Sequence, residues 1–318
     1  MQEIGQRRMR YFREVLSQGS IRKAADNLNT AASVIARQIK LLEEEIGEML
    51  FERQPRGMVA TEAAMHLLAY LHSCEAQQKQ LEERLQALHG LQAGSVRILV
   101  AAGYVDALMT QVLLEFRARH PGLRIAVETA SAHEVLAELA RNRAHIGIAF
   151  NPPAHPDIEW RASVPRRIGA VVRRDHPLAQ CAGSSISPRE LFAHALGVMP
   201  SSFGVGQMVR EMALEENVEL RPRLLTNSIP VMRHFVASGL GVALGADDRS
   251  ERQGIPEAAV FIPIRHAAAE SAHVVLLVKA RRPLGAAADE LLRWILERMS
   301  PFSQARPRKP GTAGESAR

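Results

Sequence analysis

Apolar residues at the start of the chain recur every three or four positions, the spacing of helices that bury one face. Met9, Phe12, Val15 and Leu16 share a face of a first helix, which the polar run Gln18-Gly19-Ser20 ends, offering Ser20 as a cap for the next. Ile21, Ala24, Ala25 and Leu28 repeat at helical spacing in a second helix, with small residues where a neighbouring helix must approach closely. After a turn at Asn27 to Thr30, a third helix is predicted from Ala32 to Ile46. It buries Ile35, Ile39, Leu42 and Ile46, turns Ser33, Arg37 and Lys40 outward, and is closed by Gly47. Two short apolar runs, Met49 to Arg53 and Met58 to Ala60, flank the turn Gln54-Pro55-Arg56-Gly57 and predict a β-hairpin wing. A fourth helix runs from Thr61 to His89, with Leu67, Leu71, Cys74, Gln78, Leu81, Leu85 and Leu88 stepping alternately by four and three. Such a seam calls for a second copy of the chain, or else packs on the chain's own second domain.

Past Leu91 to Ser95 the pattern changes to strands alternating with helices. Strands are predicted at Val96 to Ala101, Arg124 to Glu128, Ile146 to Phe150, Arg167 to Arg173, Leu196 to Met199, Arg223 to Thr226, Val242 to Leu244 and Val274 to Lys279. Helices are predicted at Leu108 to His120, His133 to Ala140, Pro188 to His194, Gly206 to Glu215, Ile229 to Ser238 and Ala286 to Met299. The alternation predicts parallel sheets covered by helices and two similar α/β lobes. The fold class is therefore α/β with an N-terminal all-α winged helix-turn-helix. The expected domains are 1–61 for that unit, 62–90 for a linker helix and 91–300 for the two-lobed part. Within it, lobe I takes 91–164 and 265–300 and lobe II takes 165–264; a Pro, Arg and Gly rich tail, 301–318, is expected to be disordered.

With 318 residues and 47% hydrophobic composition the chain can bury more than one core. Its formal charge is +6, unevenly spread: residues 1–42 carry eight Lys/Arg against three Asp/Glu, and Glu43, Glu44, Glu45, Glu48 and Glu52 follow. An early basic side beside a helix-turn-helix fits double-stranded DNA. The third helix can enter the major groove, with Ala32, Ser33, Ala36, Arg37, Gln38 and Lys40 toward the DNA, while Arg53 and Arg56 on the wing reach phosphates or the minor groove. A bland alternative is that the cations merely solvate a small helical domain. The two cysteines, Cys74 and Cys181, make neither a disulfide framework nor a zinc site. No cofactor, metal or catalytic residue is expected: the 12 histidines are scattered, and Gly204-Val205-Gly206 lacks the third glycine of a dinucleotide fingerprint, Val209 standing there. No stretch has the apolar length of a signal or membrane helix, so a cytoplasmic protein is expected.

Two lobes leave a cleft where strand ends and helix N-termini converge. Gly103, Tyr104, Ser131, Phe150, Ser202, Phe203 and Asn227 follow strands and are the candidate effector contacts. Ser131 and Ser202 precede helices, where hydroxyl and backbone N–H groups suit an anion, an organic acid being one candidate; plain helix capping is the alternative for each.

Phe12 through Leu68 resembles the N-terminal domain of LysR-type transcriptional regulators. The resemblance is carried by Gly19-Ser20, Ala24-Ala25, Leu28, Arg37-Gln38-Ile39, Leu42-Glu43, Ile46-Gly47, Leu50-Phe51-Glu52-Arg53, Arg56-Gly57 and Thr61. It departs at Ala32 and Ala36, where the family usually has Gln and Ser or Thr, and at Ala64, where it usually has Gly. The first two changes remove hydrogen-bonding side chains, shifting direct readout toward Arg37, Gln38 and Ser33 or to thymine-methyl contacts. The resemblance extends to about Met299 and implies a periplasmic-binding-protein-like effector domain, assigning effector roles to Gly103, Ser131, Ser202, Phe203 and Asn227 by order along the chain. Gly103 stands where a hydroxyl is frequent and His145 where Asp is, so the ligand cannot be borrowed from a relative. The implied protein is an effector-responsive regulator acting as a homodimer or homotetramer with RNA polymerase as a partner. The alternatives are a metabolite-binding protein without DNA readout and a DNA-binding regulator without an effector.

Overall fold

The structure, a computed structural model, describes residues 6–55, 57–87, 94–247 and 259–304. Two compact units divide the chain, Met1–Lys79 and Gln80–Arg318.

In the first unit, α1 (Gln6–Gln18), α2 (Ile21–Asn27) and α3 (Ala32–Ile46) precede the strands β1 (Phe51–Gln54) and β2 (Gly57–Ala60). Helix α4 (Glu62–Ala87) follows and continues across the boundary into the second unit. The periodic apolar residues form one core: Phe12, Val15, Ile35, Leu42 and Leu50 are fully buried, with Ala24 and Ala25 beside them. Each such large side chain contributes roughly 1.5–3 kcal/mol by leaving water. Ser20 caps α2, its hydroxyl accepting from the Lys23 N–H, and Gly47 ends α3 in the left-handed conformation at φ 83°. The antiparallel wing pairs Phe51 with Ala60 and Gln54 with Gly57. It is tied down at both sides: Glu43 Oε1 accepts from Leu50 N–H at 2.8 Å and Phe51 N–H at 3.3 Å, and Met58 N–H donates to Gly19 O at 2.8 Å. Thr61 caps α4, accepting from Ala64 N–H at 3.2 Å and donating to Met49 O at 2.7 Å.

The seam on α4 is split. Leu67 and Leu71 are buried in the core of their own helix-turn-helix unit, whereas Cys74, Gln78, Leu81 and Leu85 are exposed; Leu88 lies outside the described residues. The first seam positions therefore fasten the helix to the domain it leaves, and the later described ones are exposed.

In the second unit, β3 (Gly94–Val100), β4 (Leu123–Thr129), α7 (Ala132–Ala140), β5 (Ile146–Phe150) and β6 (Ile158–Pro165) open the first lobe. Between β3 and β4 the chain runs through α5 (Val105–Leu108), a π-helical stretch at Met109–Leu113 and α6 (Leu114–Arg119). The second lobe holds β7 (Ile168–Arg173), α8 (Pro188–Phe192), β8 (Leu196–Val198), α9 (Gly204–Glu215), β9 (Leu224–Leu225), α10 (Ile229–Ala237), β10 (Val242–Ala246), β11 (Ala259–Pro263) and α11 (Ala267–Glu270). β12 (His273–Lys279) and α12 (Ala286–Arg298) return to the first lobe. The sheets run β4-β3-β5-β12-β6 and β11-β7-β10-β8-β9. Residues alternate between two apolar faces along the first sheet. Ile98, Val100 and Leu276 share the core with Phe116 and α12, while Leu99, Val275 and Leu277 pack with Val135 and Leu139 of α7.

Several expectations need correction. The sheets are mixed, not parallel: β12 runs antiparallel to β5 and β6, and β7 antiparallel to β10 and β11. Strands β6 and β11 went unpredicted, although Ile158, Trp160, Ala162 and Val164 alternate at the strand period. The return crossing falls after Arg265, because α11 packs on α9 and His266 Nε2 lies 2.8 Å from Glu215 Oε2 in the second lobe. The tail does not begin as a disordered segment: Pro301 and Phe302 are buried, Phe302 in the core that holds Met299, and a short 3₁₀ turn covers Phe302–Gln304. Residues 305–318 lie outside the described residues.

Leu42→Ala should cost the N-terminal unit about 2–5 kcal/mol through the cavity it leaves. In native-state hydrogen exchange, protection over 9–71 should fall by that amount while protection over 94–304 holds.

Candidate functional site

Two regions concentrate exposed or cavity-facing chemistry. On α3, Ile35, Ile39 and Leu42 are buried, and at 100° per residue this sends Ser33, Arg37 and Lys40 to the opposite face. Ala32, Ser33, Arg37 and Lys40 are exposed; Ala36 and Gln38 are half-buried on the flanks. Arg37 makes no ion pair among the described residues, and Lys40 Nζ lies 3.8 Å from Glu44 Oε1, a surface pair worth little. Ala31 at the N-cap offers no side-chain acceptor to the first turn. Two of the acids that follow are spent internally: Glu43 holds the wing, and Glu45 Oε2 pairs with Arg8 Nη1 at 2.5 Å. Glu43 and Glu45 thus serve the fold, while Arg37 and Lys40 stay outward. Arg22 and Lys23 on α2 are exposed as well, and went unmarked as candidates although they lie in the same basic segment. The Arg53 backbone belongs to β1, but its side chain and all of Arg56 lie outside the described residues.

In the second unit a cavity of about 120 Å³ opens between the two sheets. The first lobe lines it with Ala101 to Tyr104 after β3, Ala130 to Ala132 after β4, and Phe150 at the end of β5. The second lobe contributes Ile168 and Val171 of β7, Met199, Phe203 to Val205 at the start of α9, Leu244 to Ala246 of β10, and a face of α10. Of the candidates, Gly103, Tyr104, Ser131, Phe150 and Phe203 come together here. Ser202 and Asn227 do not: both are exposed, Ser202 in a turn that Phe203, the N-cap of α9, separates from the helix, and Asn227 one residue ahead of the true α10 cap, Ser228.

Ser131 is in place but differently employed. Its hydroxyl accepts from Glu134 N–H at 3.3 Å while Glu134 Oε2 accepts from Ser131 N–H at 2.8 Å, a reciprocal capping box. The N–H expected to greet an anion is therefore taken, and a carboxylate already sits at the positive end of α7. By contrast α9 has no side-chain cap, and Gly204 is required there because a Cβ would stand 2.7 Å from Phe150 O.

Sequence reasoning predicted α10 as a helix but missed it as a wall of the cavity. Ile229, Met232, Arg233 and Val236 recur at helical spacing and all line the cavity. Arg233 Nη1 and Nη2 each lie 3.4 Å from Asp106 Oδ2 of α5 in the other lobe, so the guanidinium spans the opening. A single arginine in an otherwise apolar helical stripe was the available signal. Among the described residues no group of three or more His, Cys, Asp or Glu is set to hold a metal ion.

Comparison with known proteins gives this architecture its class. Residues 6–65 match the family model for bacterial regulatory helix-turn-helix proteins of the lysR family, and residues 89–300 match the LysR substrate binding domain. Among curated relatives, a RuBisCO operon transcriptional regulator of Allochromatium vinosum is 26% identical over 241 residues, 76% of this chain and 79% of its own. The transcriptional dual regulator GltC of Bacillus subtilis is 26% identical over 312 residues, 94% and 98% of the two chains. Among solved structures, a full-length OxyR variant from Pseudomonas aeruginosa superposes with a TM-score of 0.64 at 20% identity, over 94% of this chain and 98% of that one. The chain belongs to the LysR family: it is a DNA-binding transcriptional regulator with an effector-binding domain.

Hydrogen bonds from Ser131 hold the Glu134 carboxyl below the usual carboxylate range. A depressed folded-state value means the charge contributes stability above the unfolded value, about 4.3, and loses it as pH falls through the folded value. Wild type should therefore be more stable than Glu134→Gln at neutral pH, with the gap closing as unfolding is measured at pH below about 4.

Proposed function

We propose that the outward face of α3 reads the operator, with Arg37 as the principal base-edge contact. The reading is carried by the exposed stripe Ser33, Arg37 and Lys40 on the side opposite the buried Ile35, Ile39 and Leu42. An arginine at this point of a recognition helix can donate two hydrogen bonds to the O6 and N7 of a guanine. Ala32 and Ala36 offer methyl groups to thymine, Ser33 and Gln38 supply hydrogen bonds, and Lys40, Arg53 and Arg56 serve the phosphates. The chain is organised as a DNA-binding unit over 1–61, a linker helix over 62–90 and an effector domain over 91–300. The exposed later seam of α4 pairs with that of a second copy, giving a dimer, or a tetramer of two dimers, that reads two half-sites in the cytoplasm. The cavity between the lobes takes a small-molecule effector through Gly103, Tyr104, Ser131, Phe150 and Phe203, with Arg233 added. Binding favours one arrangement of the dimer over another, changing DNA bending and contact with RNA polymerase to the extent that affinity differs between the two.

Operator DNA selected from a random pool supplies the test. Arg37→Ala should cost about 1–3 kcal/mol in affinity and relax the base preference at one position of each half-site. Lys40→Ala should weaken binding evenly across sequences and lower the salt slope by about one. Footprints of undiminished strength and selectivity in Arg37→Ala would remove the assignment of α3 as the reading helix.

A further inference from the structure

Given α3 as the reading helix, one apolar side chain on it stays out of the core and faces outward. Val34 is 36% exposed in the first turn, its N–H donating to Ala31 O at 3.0 Å. At 100° per residue it lies about 60° from Arg37 around the helix, nearer than Ala36 or Gln38, each about 100° away. Lys40 lies about 60° from Arg37 on the other side, with Ser33 between them. The outward face therefore has a polar edge, Ser33 and Lys40, and an apolar edge that begins with Val34.

A single exposed valine is ordinary on a protein surface. This one stands where the helix enters the groove, since the first turns of a recognition helix are the part that meets base edges. Its neighbours there are short. Ala31, Ala32 and Ser33 are exposed and small, so among residues 31–34 Val34 has the bulkiest apolar side chain facing out. A β-branched residue is also a poorer helix former than the alanines beside it, so helix stability does not call for valine at this position.

The major groove offers such a side chain one apolar partner, the 5-methyl group of thymine. Three residues along α3 span about 4.5 Å of helix axis, and one base-pair step spans about 3.4 Å. Val34 and Arg37 therefore meet bases about one step apart. We propose that Val34 is a specificity-determining residue, packing its methyl groups on the 5-methyl of a thymine beside the guanine that Arg37 reads. Cytosine at that place would lose the methyl contact and bring an amino group to a side chain with no acceptor. Ala32 and Ala36 carry one methyl each, and Ala36 is half-buried, so the larger share of the discrimination falls to Val34.

Replacing the thymines of the selected operator one at a time with deoxyuridine removes only the 5-methyl group and tests this with the full-length protein. Wild type should lose about fourfold in affinity at one thymine of each half-site, the loss expected for one buried carbon. That thymine should neighbour the base pair whose preference Arg37→Ala relaxes. Val34→Ala, which keeps a good helix former in place, should weaken binding to the thymine operator and lose nothing further with deoxyuridine. Val34→Thr, which keeps one methyl, should retain part of the discrimination. If no thymine shows the loss, or Val34→Ala still shows it in full, Val34 does not read a methyl group, while an altered preference in Arg37→Ala keeps α3 as the reading helix. If Arg37→Ala and Val34→Ala both leave the selected sequence and its affinity unchanged, the assignment of α3 fails and this one with it.

Discussion

The orientation of α3 about its own axis is the constraint on which the DNA-facing chemistry depends. Ile35, Ile39 and Leu42 leave water together against Phe12, Val15 and Leu50, and three such side chains contribute several kcal/mol at roughly 1.5–3 kcal/mol each. A rotation that turned Arg37 inward would expose all three, so no hydrogen bond to DNA is needed to hold the arginine outward. The wing is positioned by the same element, since Glu43 lies on α3 and its carboxylate takes two backbone N–H groups of the segment leading into β1. One helix thus sets both the outward face proposed to read DNA and the hairpin beside it.

The effector domain solves a different problem. Its sheets carry their apolar residues on both faces, so helices must cover them, and the polar backbone at strand ends gathers between the lobes. In most positions the chain lines that gap with alanine, glycine and branched or aromatic residues, which supply shape without charge. Among the described residues Arg233 is the exception, reaching Asp106 of the other lobe at 3.4 Å.

The helix-turn-helix was readable from the sequence because each of its signals is local. Ser20 and Thr61 cap helices, Gly47 ends one, and the apolar spacing runs within single elements; the predicted bounds of α3 and the observed ones coincide. The failures came where a residue's place depends on distant parts of the chain. Strand direction is decided by pairing partners far apart in sequence, so antiparallel β12 looked like one more parallel strand. Ser202 and Asn227 were chosen for following strands, yet each stands one residue outside the helix caps Phe203 and Ser228 and is exposed. Leu67 and Leu71 satisfied a coiled-coil rule but found partners within their own unit, because a heptad seam states that a face is apolar and not what covers it. Composition misled at Pro301, where a polar, Pro-rich tail hid the apolar Phe302 that the first lobe buries.

That divided seam bears on how an effector signal can reach DNA. α4 runs unbroken from the first unit into the second and is the covalent path between them. Its beginning is fixed by Thr61 and by burial of Leu67 and Leu71, so it cannot swivel freely on the helix-turn-helix without losing that packing. Further along the same helix Leu81 and Leu85 are 57% and 51% exposed. A tenfold change in operator affinity requires about 1.4 kcal/mol of difference between two arrangements.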